Sequence, residues 1–272
     1  MNETLQNKYN LLLQQLKNCG SLAVAFSGGV DSAFLVYAAH KALGEKLLAI
    51  TVTTQSYPRH EAADAAKILQ SYGVKHAQIE LNQLAIPGFC ENGAQRCYYC
   101  KYALFSAIKA EAAKHGITAV ADGANTDDEN DYRPGMRATA ELGILSPLRS
   151  AGFSKQDIRE ASRELGIFTW NKPSYACLAS RIPYGEEITA EKLAMVERAE
   201  QALLDMGFKE MRVRCHGNLA RIEVAENDFA KAAAHRKEIA AAVKNAGFLY
   251  AALDLEGFRS GSLNAALENK NA

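Results

Sequence analysis

Ser27-Gly28-Gly29-Val30-Asp31-Ser32 lies between Leu22–Phe26, a short apolar run of strand type, and Ser32–Leu43, which reads as a helix. Glycines let a backbone turn tightly enough for several N–H groups to point at one anion. The N-terminus of the following helix adds partial positive charge at the same spot. Ser27 and Ser32 supply hydroxyl donors. Asp31 is out of place beside a phosphate unless Mg²⁺ bridges the two. No Gly-Lys-Ser/Thr follows, so this is not a Walker A loop, and it is not Gly-x-Gly-x-x-Gly either.

Outward from the loop, strands and helices alternate. Leu47–Thr54 is β-branched and strand-like, and Arg59–Tyr72 is helical up to Gly73. His76–Leu81 reads as a third strand, Cys97–His115 as a long helix closed by Gly116, and Ile117–Ala121 as a fourth strand. Ser154 caps a further helix that ends at Gly166. This alternation predicts an α/β fold, a parallel doubly wound sheet flanked by helices. Beyond Pro183 the pattern changes. Thr189 caps a helix to Met206, Met211–Cys215 and Ala220–Val224 form a hairpin around His216-Gly217-Asn218, and Asp228–Ala246 and Leu249–Leu255 give a helix and a strand. The expected division is a loop-bearing domain over 1–182 and a smaller C-terminal α+β domain over 183–272.

The 31 basic and 31 acidic residues cancel, and 48% of the 272 residues are hydrophobic. A nucleic-acid partner usually leaves a basic excess, so none is expected. The opening MNETLQNKYNLLLQQLKN reads as an amphipathic helix without the apolar run of a signal peptide. No window approaches the ~20 apolar residues of a membrane span. The protein is expected in the cytoplasm, without membrane contact and as a homo-oligomer. Six cysteines in that setting point to metal or redox chemistry rather than disulfides.

Cys97-Tyr98-Tyr99-Cys100 opens a helix, and Cys177 stands in Lys172-Pro173-Ser174-Tyr175-Ala176-Cys177-Leu178-Ala179-Ser180-Arg181. By themselves these fit a redox pair, half a zinc site completed by Cys90, Cys215 or His216, or three ligands of an iron–sulfur cluster with one iron left open. Cys19, Cys90 and Cys215 read as small buried apolar residues. Asp122-Gly123-Ala124-Asn125-Thr126-Asp127-Asp128 is an acidic loop at a strand's end, where open α/β sheets place their ligands and where carboxylates suit Mg²⁺. Thr51–Gln55 falls at the end of the neighbouring strand. Period two puts Arg212 and Arg214 on one strand face, with Arg221 and Glu223 alternating on the partner strand. Guanidinium forks of this kind suit a phosphate or carboxylate, or else face solvent.

The hexapeptide resembles the signature of the PP-loop ATP pyrophosphatases, which cleave ATP between its α- and β-phosphates and adenylate an oxygen of the substrate. Arg96–Lys101, the Cys177 segment and the ending Ala252–Ser262 resemble, in order and across nearly the whole chain, the LarE family of ATP-dependent sulfur transferases. The resemblance implies ATP and Mg²⁺ held by Ser27, Gly28, Gly29, Asp31, Ser32, Thr51, Gly123 and Asn125. It implies pyridinium-3,5-biscarboxylic acid mononucleotide as a small-molecule substrate, each of whose carboxylates becomes a thiocarboxylate for a nickel-pincer nucleotide cofactor. Ser180, Arg181, Arg212, Arg214, Glu223 and Arg259 would bind that substrate. Asp31, Lys101 and Cys177 would be catalytic, and Lys172 is a weaker candidate for charge neutralisation. The family has two sulfur routes. In one, the cysteine at the position of Cys177 gives up its own sulfur and becomes dehydroalanine. In the other, three cysteines hold a [4Fe–4S] cluster recharged by a sulfide donor. Cysteines at 97, 100 and 177 resemble the cluster type. A PP-loop tRNA thiolase is the alternative, opposed by the neutral charge.

Overall fold

The computed structural model describes residues 1–130, 134–173 and 176–259. Contacts gather the chain into two compact units. The first is Met1–Asn82 with Cys97–Tyr175, and the second is Gln83–Arg96 with Ala176–Ala272. The division falls at three places rather than the one expected at 182/183, because Gln83–Arg96 packs with the C-terminal residues. Nothing in its composition marks that excursion, which is held by polar contacts of single side chains described below.

In the first unit the helices are α1 (Glu3–Asn18), α2 (Val30–Leu43), α3 (Arg59–Tyr72), α4 (Arg96–Lys114, from Cys97 onward), α5 (Pro134–Glu141), α6 (Pro147–Ser150) and α7 (Lys155–Glu164). The strands are β1 (Leu22–Ala25), β2 (Leu47–Thr53), β3 (Lys75–Glu80) and β4 (Val120–Ala121). They pair in parallel in the order β3-β2-β1-β4. Period two divides the strand residues between two cores. Leu22, Val24, Leu47 and Ala49 pack with Leu12, Phe34, Val36 and Phe153, whereas Ala23, Leu48 and Ile50 pack with Phe105, Ile108 and Val120. Helical layers on both faces of a parallel sheet are what the apolar strands require. Asn2 caps α1 by accepting from the Leu5 N–H, and Ser154 and Asp157 form a full capping box on α7.

The order of the strands locates the ligand site. From β1 the chain moves outward to β2 and β3, then returns to the other side of β1 as β4. The C-terminal ends of β1 and β4 therefore flank the point where the strand order reverses, the place where open α/β sheets bind ligands. Ser27–Ser32 leaves one of these ends and Asp122–Asp128 the other.

The second unit holds α8 (Ala190–Asp205), β5 (Met211–His216), β6 (Leu219–Val224), α9 (Phe229–Ala234), α10 (Arg236–Asn245) and β7 (Tyr250–Leu253). β5 and β6 are the expected antiparallel hairpin, and β7 joins β6 in parallel. The single helix expected over Asp228–Ala246 is two, separated at His235. α8 packs on β5 and on α10, and Met211, Val213 and Cys215 are buried. Thr189 caps α8 by accepting from the Lys192 N–H, as read from the sequence. Among the described residues no helix is long and apolar enough to cross a membrane.

Candidate active site

α2 begins at Val30 behind Gly29, which makes no side-chain cap. Its first N–H groups have no partner within the helix and face the turn after β1. The turn is fixed from inside. Ser32 Oγ accepts from the Ser27 N–H at 3.3 Å, lies 3.2 Å from Ser27 Oγ, and donates to the Gly29 carbonyl at 3.1 Å. Gly28 has φ 71°, and a Cβ there would come 3.1 Å from the Cβ of Ala65 on α3. Glycine is thus required at 28 by both conformation and space.

Gly123 meets the same helix end from β4: a Cβ on it would stand 3.1 Å from Ser32 N and 3.3 Å from Asp31 Cβ. Asp122 is spent on structure, its Oδ1 accepting from Ser146 Oγ at 2.8 Å and from the Ala124 N–H at 3.1 Å. Asn125 and Asp128 close an Asx-type turn, with the Asn125 N–H donating to Asp128 Oδ2 and Asn125 Oδ1 accepting from the Asp127 N–H, both at 3.0 Å. Asp31 keeps acceptor capacity. Its Oδ2 accepts from Lys155 Nζ, while Oδ1 is buried and has no hydrogen-bond partner among the described residues. Burial pushes the Asp31 pKa up, aided by Asp128 and opposed by Lys155 and Arg159. An orphaned buried carboxylate oxygen costs free energy unless something fills it. Mg²⁺ keeps several waters and takes only one or two carboxylates besides phosphate oxygens, so Asp31 with Asp128 nearby fits the ion.

Thr51 lies inside β2 rather than at its exit. It is buried, and its Oγ1 is 3.0 Å from His76 Nε2, an imidazole whose pKa burial lowers. Lys101, on α4, packs its stem on Gly135 of α5, where a Cβ would collide with the lysine Cδ at 2.6 Å. Lys172 is not a solvated lysine. It is largely buried and donates to Glu61 Oε2 at 2.9 Å, Asp64 Oδ2 at 3.4 Å and the Gly28 carbonyl at 3.3 Å. Sequence reading missed Lys155, Tyr57 and Glu61, which have no motif of their own.

In the second unit Cys177 is exposed at the head of a 3-10 turn over Leu178–Arg181. Its carbonyl accepts from Ser180 Oγ at 2.7 Å, from the Ser180 N–H at 2.9 Å and from Arg181 Nη1 at 3.3 Å. Arg181, expected to touch substrate, is instead fully buried. It donates twice to Glu200, at 2.8 and 3.0 Å, and its Nη1 also holds the Ala176 carbonyl and Ser180 Oγ, each at 2.9 Å. Glu200 Oε1 in turn accepts from the Val213 N–H at 3.0 Å. Arg181 therefore ties the Cys177 turn to α8 and β5. Arg181→Met would leave Glu200 as a buried uncompensated charge, which costs about 3–5 kcal/mol. A matching fall in urea-unfolding stability is expected. Unchanged stability with a raised substrate KM would return Arg181 to the substrate.

Arg212 and Arg214 share a face as expected, but that face is buried, each residue being 6% exposed. Arg214 makes a two-pronged pair with Glu223, both contacts at 3.0 Å, and donates to the Ser180 carbonyl at 2.8 Å. Arg221, two residues away on the same strand, joins Glu223 at 3.1 Å. The Arg212 guanidinium stacks over Phe258, 4.8 Å from its centroid. Gly257 lets that segment return to β6, since a Cβ there would meet the Val224 carbonyl at 2.8 Å. Arg259 is exposed and paired with Glu256. Asn92, unanticipated from the sequence, holds the excursion by donating to the carbonyls of Ile182, Pro183 and Glu186, while Arg96 reaches the Ala179 carbonyl at 3.1 Å.

All six cysteines are thiols. Cys97 and Cys100, at i and i+3 in the first turn of α4, share one helix face. Cys177 belongs to the other unit. Among the described residues no group of three His, Cys, Asp or Glu is arranged to hold a metal ion. Cys19, Cys90 and Cys215 donate to the carbonyls of Gln15, Leu84 and Gly217, and burial raises all three pKa values. Ser174, Tyr175 and Ser260–Ser262 of the quoted segments lie outside the described residues.

Comparison with known proteins agrees with a parallel sheet that carries a phosphate loop. The family described as NAD synthase matches residues 4–91, which carry the phosphate loop. An uncharacterized protein of Synechocystis sp. is 40% identical over 97% of this chain and 99% of its own length. The pyridinium-3,5-bisthiocarboxylic acid mononucleotide synthase of Lactiplantibacillus plantarum is 36% identical over 97% of this chain and 96% of its own. An uncharacterized protein of Methanocaldococcus jannaschii is 32% identical over 92% and 95%. With a phosphate loop at the switch point of its sheet and likeness along almost its full length to that synthase, the chain belongs to the LarE family of PP-loop ATP-dependent sulfurtransferases.

Proposed function

We propose that this ATP-dependent sulfurtransferase adenylates the ring carboxylates of pyridinium-3,5-biscarboxylic acid mononucleotide and converts each to a thiocarboxylate. The reading rests above all on the start of α2, where Gly29 makes no side-chain cap, beside an Asp31 Oδ1 that has no hydrogen-bond partner among the described residues. The N–H groups of Gly28 and Gly29 and the hydroxyls of Ser27 and Ser32 hold the departing phosphates, and Asp31 holds Mg²⁺. Gly123 and Asn125, with Thr51 in β2, border the adenosine. Mg²⁺ supplies charge neutralisation as pyrophosphate leaves. A substrate carboxylate oxygen bonds to the α-phosphorus as the bond to pyrophosphate breaks. A sulfur nucleophile then attacks the acyl carbon and AMP departs with the oxygen.

Lys101 neutralises charge during these steps. Arg259, which is exposed, takes the substrate's phosphate or its idle carboxylate, while Arg212 on Phe258 and Arg214 on Glu223 brace the face that Ser180 borders. The thiols of Cys97, Cys100 and Cys177 would be the ligands of a [4Fe–4S] cluster, which would supply sulfide drawn from a sulfide donor. Exposed Leu249, Tyr250 and Leu255 on and beside the edge strand β7 support self-association, and the protein is assigned to the cytoplasm.

The test is anaerobic incubation with ATP, Mg²⁺ and the mononucleotide. Pyrophosphate, AMP and a product with sulfur in place of oxygen are expected by mass. Release of ADP and orthophosphate would refute adenylation.

A further inference from the structure

The back of the phosphate loop is as fully built as its front. Tyr57 Oη donates to the Ser27 carbonyl at 2.9 Å, and Lys172 Nζ to the Gly28 carbonyl at 3.3 Å. Neither residue belongs to the loop: Tyr57 precedes α3, and Lys172 follows α7. Glu61 and Asp64, one turn apart on α3, hold the ammonium in place, and Ala65 on the same helix touches Gly28. Burial, with Glu61 and Asp64 nearby, raises the Tyr57 pKa, so the phenol stays a neutral donor. No peptide bond is cis among the described residues. In a trans peptide the carbonyl and the following N–H point to opposite sides. The Gly28–Gly29 peptide has a glycine on either side, so no Cβ decides which way it faces. An outside contact has to decide it.

We infer that Tyr57 and Lys172 are positioning residues of the phosphate loop, which hold the carbonyls of Ser27 and Gly28 backward and thereby turn the N–H groups of Gly28 and Gly29 toward the phosphates of the nucleotide. The role rests on the ATP-binding reading above. It differs from charge neutralisation at the reacting centre, because Lys172 acts through the backbone. The two contacts fix successive peptide planes, so losing both leaves the loop free to present carbonyl oxygens, which repel phosphate.

The test is equilibrium binding of ATP, inorganic pyrophosphate and adenosine to the full chain carrying Tyr57→Phe, Lys172→Met or Lys172→Arg. Lys172→Met is expected to weaken ATP and pyrophosphate about 10- to 100-fold, and Tyr57→Phe about 3- to 10-fold. Adenosine, which has no phosphate, should bind as to the wild type. Lys172→Arg should restore most of the pyrophosphate affinity. In turnover the loss should fall on KM for ATP. Equal weakening of adenosine and pyrophosphate, or no weakening of either, would overturn the positioning role. Should Lys172→Met not fold, Tyr57→Phe and Lys172→Arg still decide it. Wild-type protein that binds no ATP would instead overturn the proposed function.

Discussion

Asp31→Asn is expected to reduce Mg-dependent pyrophosphate release by at least about a hundredfold, as when an electrostatic contact to the reacting phosphates is lost. Asparagine keeps the shape of the side chain and removes its charge. It is not expected to destabilise the fold at neutral pH. The folded-state pKa of Asp31 is raised, chiefly by burial, so folding disfavours its ionised form. Such a carboxylate adds stability only as pH falls through its folded pKa and it takes up a proton. At neutral pH a neutral amide escapes that burden, and Lys155, partly exposed, can turn to water. Loss of activity without loss of thermal stability is the signature of a residue kept for function at a cost to the fold. A pyrophosphate assay and a thermal melt on one preparation check both halves. Retained pyrophosphate release would move Mg²⁺ to another carboxylate, and a clear fall in melting temperature would make the Asp31–Lys155 pair structural.

The parts legible in the sequence were those with a period or a local chemical rule. Arg59–Tyr72 ends at Gly73 because only glycine takes the left-handed cap there at little cost, and the helix was read to the residue. Ser154 and Thr189 announced their helices by capping, and Gly217 with Asn218 announced the hairpin. The phosphate loop was legible because strand, glycines and helix are contiguous. What joins distant residues was not. Arg181 reads like Arg212, yet one is sealed on Glu200 and the other stacks under Phe258. Period two puts two arginines on one face of β5 but does not say whether that face is wet. Glu223, opposite Arg212 in register and bonded to Arg214, makes the face an internal ion-pair layer. Lys172 looks like any lysine until α3 brings Glu61 and Asp64 to it. Asn92 has φ 52° and no motif, so its hold on Ile182–Glu186, and with it the excursion at 83–96, leaves no trace in composition.

Cys97→Ser, Cys100→Ser and Cys177→Ser are each expected to lose both iron and repeated turnover, whereas Cys19→Ser, Cys90→Ser and Cys215→Ser keep both. The second group is bonded to nearby carbonyls, with pKa values raised by burial, so its members stay protonated thiols, poor as metal ligands and as nucleophiles. Of the first group, Cys97 and Cys100 share a helix face and Cys177 is exposed on a turn held from beneath by Arg181 and Ser180. The two sulfur routes differ in what becomes of Cys177. If sulfide attacks the acyl adenylate, the new C–S bond forms as the bond to AMP breaks, and Cys177 is unchanged. If Cys177 attacks, its sulfur first forms a thioester with loss of AMP. Loss of its Cα proton and cleavage of its Cβ–Sγ bond then leave the thiocarboxylate and dehydroalanine, and the protein works once. Anaerobic isolation is expected to give a brown, oxygen-sensitive protein that turns over repeatedly when sulfide is supplied. Mass spectrometry of the 177 peptide after turnover should show intact cysteine. Dehydroalanine at 177 in protein that held its iron beforehand would overturn the cluster route, and so would an active protein containing zinc and no iron.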